Sequence, residues 1–432
     1  MTRSNAPNPS VAKSSLTPSR RQLLVAAGAG VAVSALGAPF VARGAGAKLR
    51  IGMPTILSGR VAILGTSSRD AATLAVNQFN ASGGFGGREV ELVVRDSKGQ
   101  PDEAARVTRD LVNTEGCEII IDAEASSGSF AVNEVVGDLG VLCLHTCSET
   151  SALTADPKLR KPTAFRSARQ GIHDAVAGGK YAAEIAKANG LMKWMTCSPD
   201  YAYGRDNTAQ FVEYLTIFAP DVEVVNEAWP KLFEPDYTAY VTRVLQVQPD
   251  AIYSALWGGD LVSFLEQANL YQIFAGGLQW FSGGLADPPI VNALKQLPEG
   301  LHSVFRYDPD YPDSAANKAF YKDFDAISDT EPTNWSWQTY TAVQFINQAL
   351  AATSGNTDGM ALAQEVAGAT VDSPFTESGT ITMRAEDHTI IDYPVAWGRS
   401  RPEPKGFQDW ERGDWEQILS MEQEWKQRQG YL

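Results

Sequence analysis

The chain has 432 residues, 44% hydrophobic and 20% charged, with a formal net charge of -15, a balance that suits about two globular domains and excludes a low-complexity disordered chain. Residues 1–47 hold no Asp or Glu but carry Arg3, Lys13, Arg20, Arg21 and Arg43, which leaves about -20 on the remainder. So acidic a body repels nucleic acid and anionic lipid.

The opening segment has the pattern of a targeting signal. Ser19-Arg20-Arg21-Gln22-Leu23-Leu24 begins an Ala/Gly/Val-rich run to about Val41, and Ala45-Gly46-Ala47 offers a small-x-small cleavage site. This reads as a twin-arginine signal peptide over 1–47, cleaved after Ala47. A membrane-spanning helix is the competing reading, but Gly28, Gly30, Gly37 and Pro39 make the run too weakly apolar. The first cysteine is Cys117, too far on for lipid attachment, so the expected location is the periplasm. Cys117, Cys143, Cys147 and Cys197 fit no metal-binding spacing and leave disulfide pairing and buried free thiols both open.

From Lys48 onward, short β-rich runs alternate with helical stretches. The pattern predicts a strand over 49–53, then a helix capped by Ser67 or Ser68 with Ala71, Leu74, Ala75 and Phe79 inward, ending at Gly83-Gly84. Strands over 90–95, 118–121 and 141–144 follow, separated by helices over 102–114 and 127–137. Strict alternation implies a parallel sheet covered on both faces. The rhythm restarts after Phe165-Arg166, with strands at 193–196, 222–225 and 251–256 between helices. Beyond Ser303 the chain is richer in Trp, Tyr and Pro, with one clear helix over 339–352 and β-like runs at 379–383 and 390–397.

The run Ser82-Gly83-Gly84-Phe85-Gly86-Gly87-Arg88-Glu89-Val90-Glu91-Leu92-Val93 comes one helix after Leu57-Ser58-Gly59. In order after it come Asp96 with Pro101 and Ala104-Ala105, Ser126-Ser127, Ser148 to Leu153-Thr154, and Phe165-Arg166. Tyr201-Ala202-Tyr203-Gly204-Arg205, Gln248-Pro249-Asp250-Ala251 and Arg384-Ala385-Glu386-Asp387-His388 complete the series. Over 48–400 this series resembles the branched-chain amino-acid-type periplasmic binding proteins, the receptor subunits of ABC transporters. The resemblance implies the type I periplasmic binding fold: α/β, two Rossmann-like lobes with parallel sheets joined by a three-crossing hinge. Lobe 1 is expected over 48–166 with 305–390, and lobe 2 over 167–304 with 391–432. It also implies a small-molecule ligand in the cleft, ABC permease subunits of the inner membrane as partners, and a monomer that binds no nucleic acid.

A ligand in such a cleft meets helix N-termini, whose unpaired N–H groups and dipole favour a carboxylate. Ser126 and Ser127, opening a helix after a strand, match the family's carboxylate-binding serine position; a plain N-cap is the alternative. Cys147, Ser148 and Glu149 match the second carboxylate and amine loop, but Glu149 stands where amino-acid binders usually have Thr. An acid there repels a carboxylate unless it turns outward or meets a donor or a cation. Tyr203 matches the aromatic that closes over the ligand, or packs at a helix entry. In Gln279-Trp280-Phe281-Ser282-Gly283-Gly284, the Glu that ammonium-binding members carry is missing, and Trp280 and Phe281 are expected to shape a flat or apolar pocket. Trp257, Trp335 and Trp337 serve as walls or as core. Leu64 stands where a Tyr is frequent in the amino-acid binders, and Arg60 either pairs a carboxylate or is a solvated surface residue.

No Gly-x-Ser-x-Gly elbow, His-Glu-x-x-His helix or Walker loop occurs, and His145, His173, His302 and His388 are scattered. No enzymatic activity, metal or cofactor is expected. The expected function is the substrate-binding component of an ABC importer that traps a small carboxylate-bearing solute, aromatic carboxylates among the options. Branched-chain or other amino acids, or a non-transport sensor on the same scaffold, are the alternatives.

Overall fold

Alternating strands and helices build the first lobe. β1 (Leu49–Thr55), α1 (Ile63–Ala81), β2 (Val90–Asp96), α2 (Pro101–Asn113), β3 (Ile119–Asp122), α3 (Ser126–Leu139), β4 (Leu142–His145), the single turn α4 (Ala152–Ala155) and β5 (Ala164–Arg166) follow one another in the computed structural model. It describes residues 48–85 and 88–432, so the expected leader through Ala47 and the glycines Gly86 and Gly87 lie outside the described residues. The five strands pair in parallel in the order β2-β1-β3-β4-β5. Every residue of β3 and β4 is buried, as a parallel sheet with helices on both faces requires.

The second lobe repeats the theme. It runs through α5 (Gly171–Asn189), β6 (Lys193–Cys197), α6 (Ala202–Phe218), β7 (Glu223–Ala228), α7 (Thr238–Val247), β8 (Ala251–Ser254), α8 (Gly258–Leu270), β9 (Gln279–Ser282), α9 (Pro288–Ala293) and β10 (His302–Val304). The chain then returns to the first lobe as α10 (Ala315–Asp325), α11 (Asn334–Ala352) and α12 (Gly359–Val366), with α11 packed along α1. β11 (Thr370–Asp372), β12 (Thr380–Met383) and β13 (Ile390–Ile391) form a small antiparallel sheet. β14 (Ala396–Arg401) and β15 (Gly406–Arg412) add antiparallel strands to the second sheet, whose order is β15-β14-β10-β9-β8-β6-β7. α13 (Trp415–Gln429) closes the chain against α5. The chain thus passes between the lobes after β5, after β10 and after β13.

Three local expectations are corrected. α1 begins at Ile63, so Ser67 and Ser68 lie inside it; both are buried and their hydroxyls donate back to the Leu64 carbonyl, at 3.4 and 2.7 Å. That back-bonding lets a buried Ser ride within a helix instead of capping it. Between β10 and β13 there are three helices where the sequence showed one. α10 and α12 carry ordinary caps, Ser314 accepting from the Asn317 amide and Asp358 from the Ala361 amide. Past Trp397, β15 and α13 were not anticipated; α13 starts at the cap Asp414 and buries Ile418 and Trp425. The four cysteines are free and buried.

Candidate ligand site

The carboxyl ends of the strands of both sheets converge on a cavity between the lobes. The first lobe contributes Leu64 of α1, Ala125 and Ser126 at the start of α3, Cys147 and Glu149 from the loop after β4, and Trp335 of α11. From the second lobe come Tyr201 and Tyr203 at the start of α6, Trp257 before α8, and Gly283, Gly284 and Asp287 after β9; Arg306 follows β10.

A short β-α connection puts each group there. Ser126 is the first residue of α3, where helix N–H groups lack intrahelical acceptors. Its Oγ accepts a hydrogen bond from Ser148 Oγ at 3.1 Å, which leaves the Ser126 hydroxyl hydrogen for another acceptor. The loop carrying Cys147 and Glu149 is held from behind by Arg166. This fully buried guanidinium donates to the carbonyls of Thr150 at 2.7 Å and Ser151 at 3.1 Å. Burial pulls the Arg166 guanidinium down to about 10, against the pull of Asp387 and other acids.

Charge is concentrated on the cavity floor. Arg306 and Glu149, both buried, form an ion pair, and Asn334 Nδ2 donates to the same Glu149 oxygen at 3.0 Å. Burial works against the Arg306 cation, yet Glu149 first and then Tyr203, Asp174 and Asp287 hold it well above the usual guanidinium range. Glu149 Oε2 and Arg306 Nε find no protein partner. Asp287, 2% exposed, accepts from the Asn334 amide through Oδ1 at 2.8 Å. Burial pushes its carboxyl up to about 6, with Arg306 and the Asn334 amide opposing. The walls are aromatic: Trp257 Nε1 donates to Tyr201 Oη at 2.9 Å, and the Trp257 and Trp335 rings meet edge to face at 5.5 Å.

Of the residues singled out from sequence, Leu64, Ser126, Cys147, Glu149, Tyr203, Trp257 and Trp335 line this cavity. Ser148 stands one step behind, bonded to Ser126, and Ser127 is not on the wall. Burial holds the Cys147 thiol far above its ordinary range, so it is a neutral wall group. The pocket-shaping role expected of Trp280 and Phe281 is corrected. Successive residues of β9 point to opposite faces, and helices cover both. Trp280, fully buried, stacks on Phe264 at 5.0 Å; Phe281 stacks on His302 at 4.4 Å. Neither reaches the cavity. Trp337 is core as well, its Nε1 donating to the Arg306 carbonyl at 3.1 Å. His145 spends Nδ1 on Asp122 at 2.6 Å and Nε2 on Asn133 at 3.2 Å. Arg60 sits outside the cavity and joins the lobes: Nη1 donates to the Glu234 carbonyl at 2.5 Å and lies 3.6 Å from Asp260.

Sequence reading missed Arg306, Asp287, Asn334 and Tyr201. Asp287 did carry a signal, since Asp before Pro288-Pro289 and an apolar run marks a helix start. Arg306 carried only its place after a strand, and Asn334 none.

Comparison with known proteins agrees with this architecture. The profile of the family described as "Periplasmic binding protein" matches residues 48–396. The Leu/Ile/Val-binding protein homolog 4 of Brucella abortus is 26% identical over 387 residues, covering 83% of this chain and 86% of its own. Among solved structures, the solute binding protein of an ABC transporter from Rhodopseudomonas palustris BisB5, in complex with 3,4-dihydroxybenzoic acid, superposes with a TM-score of 0.76. It is 21% identical and covers 85% of this chain and 97% of its own. A solute binding protein of an R. palustris ABC transporter in complex with 4-hydroxybenzoate gives a TM-score of 0.75 at 20% identity, covering 85% and 99%. The α/β fold is thus shared with these solved structures, and on the match over 48–396 the chain belongs to the periplasmic binding protein family.

Proposed function

We propose that this protein is the substrate-binding component of an ABC importer, trapping a small carboxylate with an aromatic body between its lobes and presenting it to a membrane permease. The observation that carries the reading is the composition of the cavity. One side offers the start of α3 with the Ser126 hydroxyl, and the floor holds Arg306 with an unpaired Nε. Much of the remaining wall is aromatic, Tyr201, Tyr203, Trp257 and Trp335, beside the acids Glu149 and Asp287. A carboxylate takes the donors and an aromatic ring takes the walls. The benzoates bound by the two R. palustris proteins have this shape.

Arg20-Arg21 and the run behind it support export with a leader ending at Ala47, and hence work in the periplasm. No helix among the described residues is long and apolar enough to cross a membrane.

A second reading, an aliphatic amino acid such as leucine, is favoured by the likeness to the Leu/Ile/Val-binding protein homolog of Brucella and by the Asp287 carboxylate, a partner for an ammonium group. A thermal-shift screen of benzoates, phenylpropenoates, short dicarboxylates and amino acids separates the two. A ligand at a hundredfold excess over its dissociation constant stabilises by about 2.7 kcal/mol. The expected result is a shift with aromatic carboxylates; a shift with leucine alone would replace this reading with the second.

A further inference from the structure

Asp287 stands on the cavity wall at the start of α9, buried, with Oδ1 already committed to the Asn334 amide. The charged groups that face it are Arg306 after β10, Glu149 after β4 and Arg169 after β5. Arg169 is neutralised by its ion pair with Asp174 of α5, and Arg306 by its pair with Glu149. The cavity wall itself therefore holds Glu149 and Asp287 against Arg306, one negative charge in excess before a ligand arrives. A ligand carboxylate adds another among groups that are themselves buried. Like charges gathered in low dielectric are relieved by taking up a proton.

Resting on the carboxylate reading above, we infer that the site binds its ligand together with one proton from solvent, and that Asp287 carries it. The carboxyl so formed donates from its hydroxyl, which makes Asp287 a ligand-reading residue as well as a helix start. Burial outweighs Arg306 and the Asn334 amide and already pushes the carboxyl up to about 6. An arriving anion moves it further in the same direction. Below about pH 6 the proton is in place beforehand and affinity is level. Above it, each ligand brings a proton with it, and affinity falls by up to about tenfold per pH unit. A ligand with an ammonium group would pair with ionised Asp287 and take up no proton.

Calorimetric titration of the protein with benzoate and with 4-hydroxybenzoate, between pH 5.5 and 8 in buffers of different ionisation heat, tests this. The expected result at pH 7.5 is uptake of about one proton per ligand, with the dissociation constant rising up to about tenfold per unit above pH 6. Asp287→Asn should bind without proton uptake and with pH-independent affinity. Binding with no proton uptake, or uptake that persists in Asp287→Asn, overturns the inference and leaves the carboxylate reading standing. No binding of either probe at any pH overturns both.

Discussion

Glu149 and Arg306, 157 positions apart in the chain, meet in an ion pair buried on the floor of the cleft. The acid that looked hostile to a carboxylate ligand is thereby matched by a cation, and the loop after β4 is tied to the passage after β10. Glu149→Gln should destabilise the empty protein by about 3 kcal/mol, since it leaves the guanidinium buried with less counter-charge. A ligand carboxylate then substitutes for the missing partner, so the variant should bind benzoate more tightly than the parent. Melting curves with and without benzoate check both; unchanged stability together with unchanged affinity would show that the pair is idle.

Arg60 links the first lobe to Glu234 and Asp260 of the second, with its side chain about one-third exposed (34%). An exposed contact of this kind is worth about 0–1 kcal/mol. Arg60→Ala should therefore leave the melting temperature of the empty protein almost unchanged and weaken ligand binding by no more than about fivefold, through faster release. Stopped-flow dissociation reads this, and an unaltered release rate would remove Arg60 from closure.

Trp280→Ala and Tyr203→Ala should part company. Trp280 fills the second-lobe core against Phe264, so its truncation should cost about 3–5 kcal/mol of stability while ligand preference stays as it was. Tyr203 lines the cavity, and its loss should weaken binding tenfold or more with a smaller effect on melting. A changed ligand preference in Trp280→Ala would contradict the placement of that ring.

His302 is stacked on Phe281, with Nδ1 bonded to Tyr181 Oη at 2.9 Å and Nε2 to Gln279 Oε1 at 3.1 Å. Burial, with a lesser push from Arg399, lowers the imidazole to about 4. The unfolded chain, at its ordinary value near 6.5, binds the proton first, so stability is undiminished above pH 6.5 and is lost as pH falls toward 4. The loss amounts to roughly 3 kcal/mol when complete. Asp206 and Asp287, both pushed up to about 6 by burial, act in the opposite sense, destabilising the fold as pH rises toward 6. The comparison must therefore be between parent and His302→Gln, whose acid limb should be flatter; parallel limbs would show that His302 is not the group.

The alternation of strand and helix, the two-lobed class and the family were legible because each rests on local pattern. A parallel strand buried on both faces reads as an apolar run, and loops after such strands reach the cleft wherever the fold places it. That logic led to Ser126, Cys147, Glu149 and Tyr203, all on the cavity wall in the structure. It failed for Trp280 and Phe281, because a period of two says only that neighbours face opposite ways. Whether either face opens on a cavity depends on which helices cover it.

The sequence by itself determined the order of elements, the acidic body and the strand-end loops that reach the cleft, since hydrophobic periodicity and turn chemistry act over a few residues. Only the tertiary structure decided that Arg306 answers Glu149, that Asn334 and Asp287 join across the cleft, and that two aromatic residues of β9 are core. Those contacts link residues tens to hundreds of positions apart, and their geometry is set by how the two lobes close on each other.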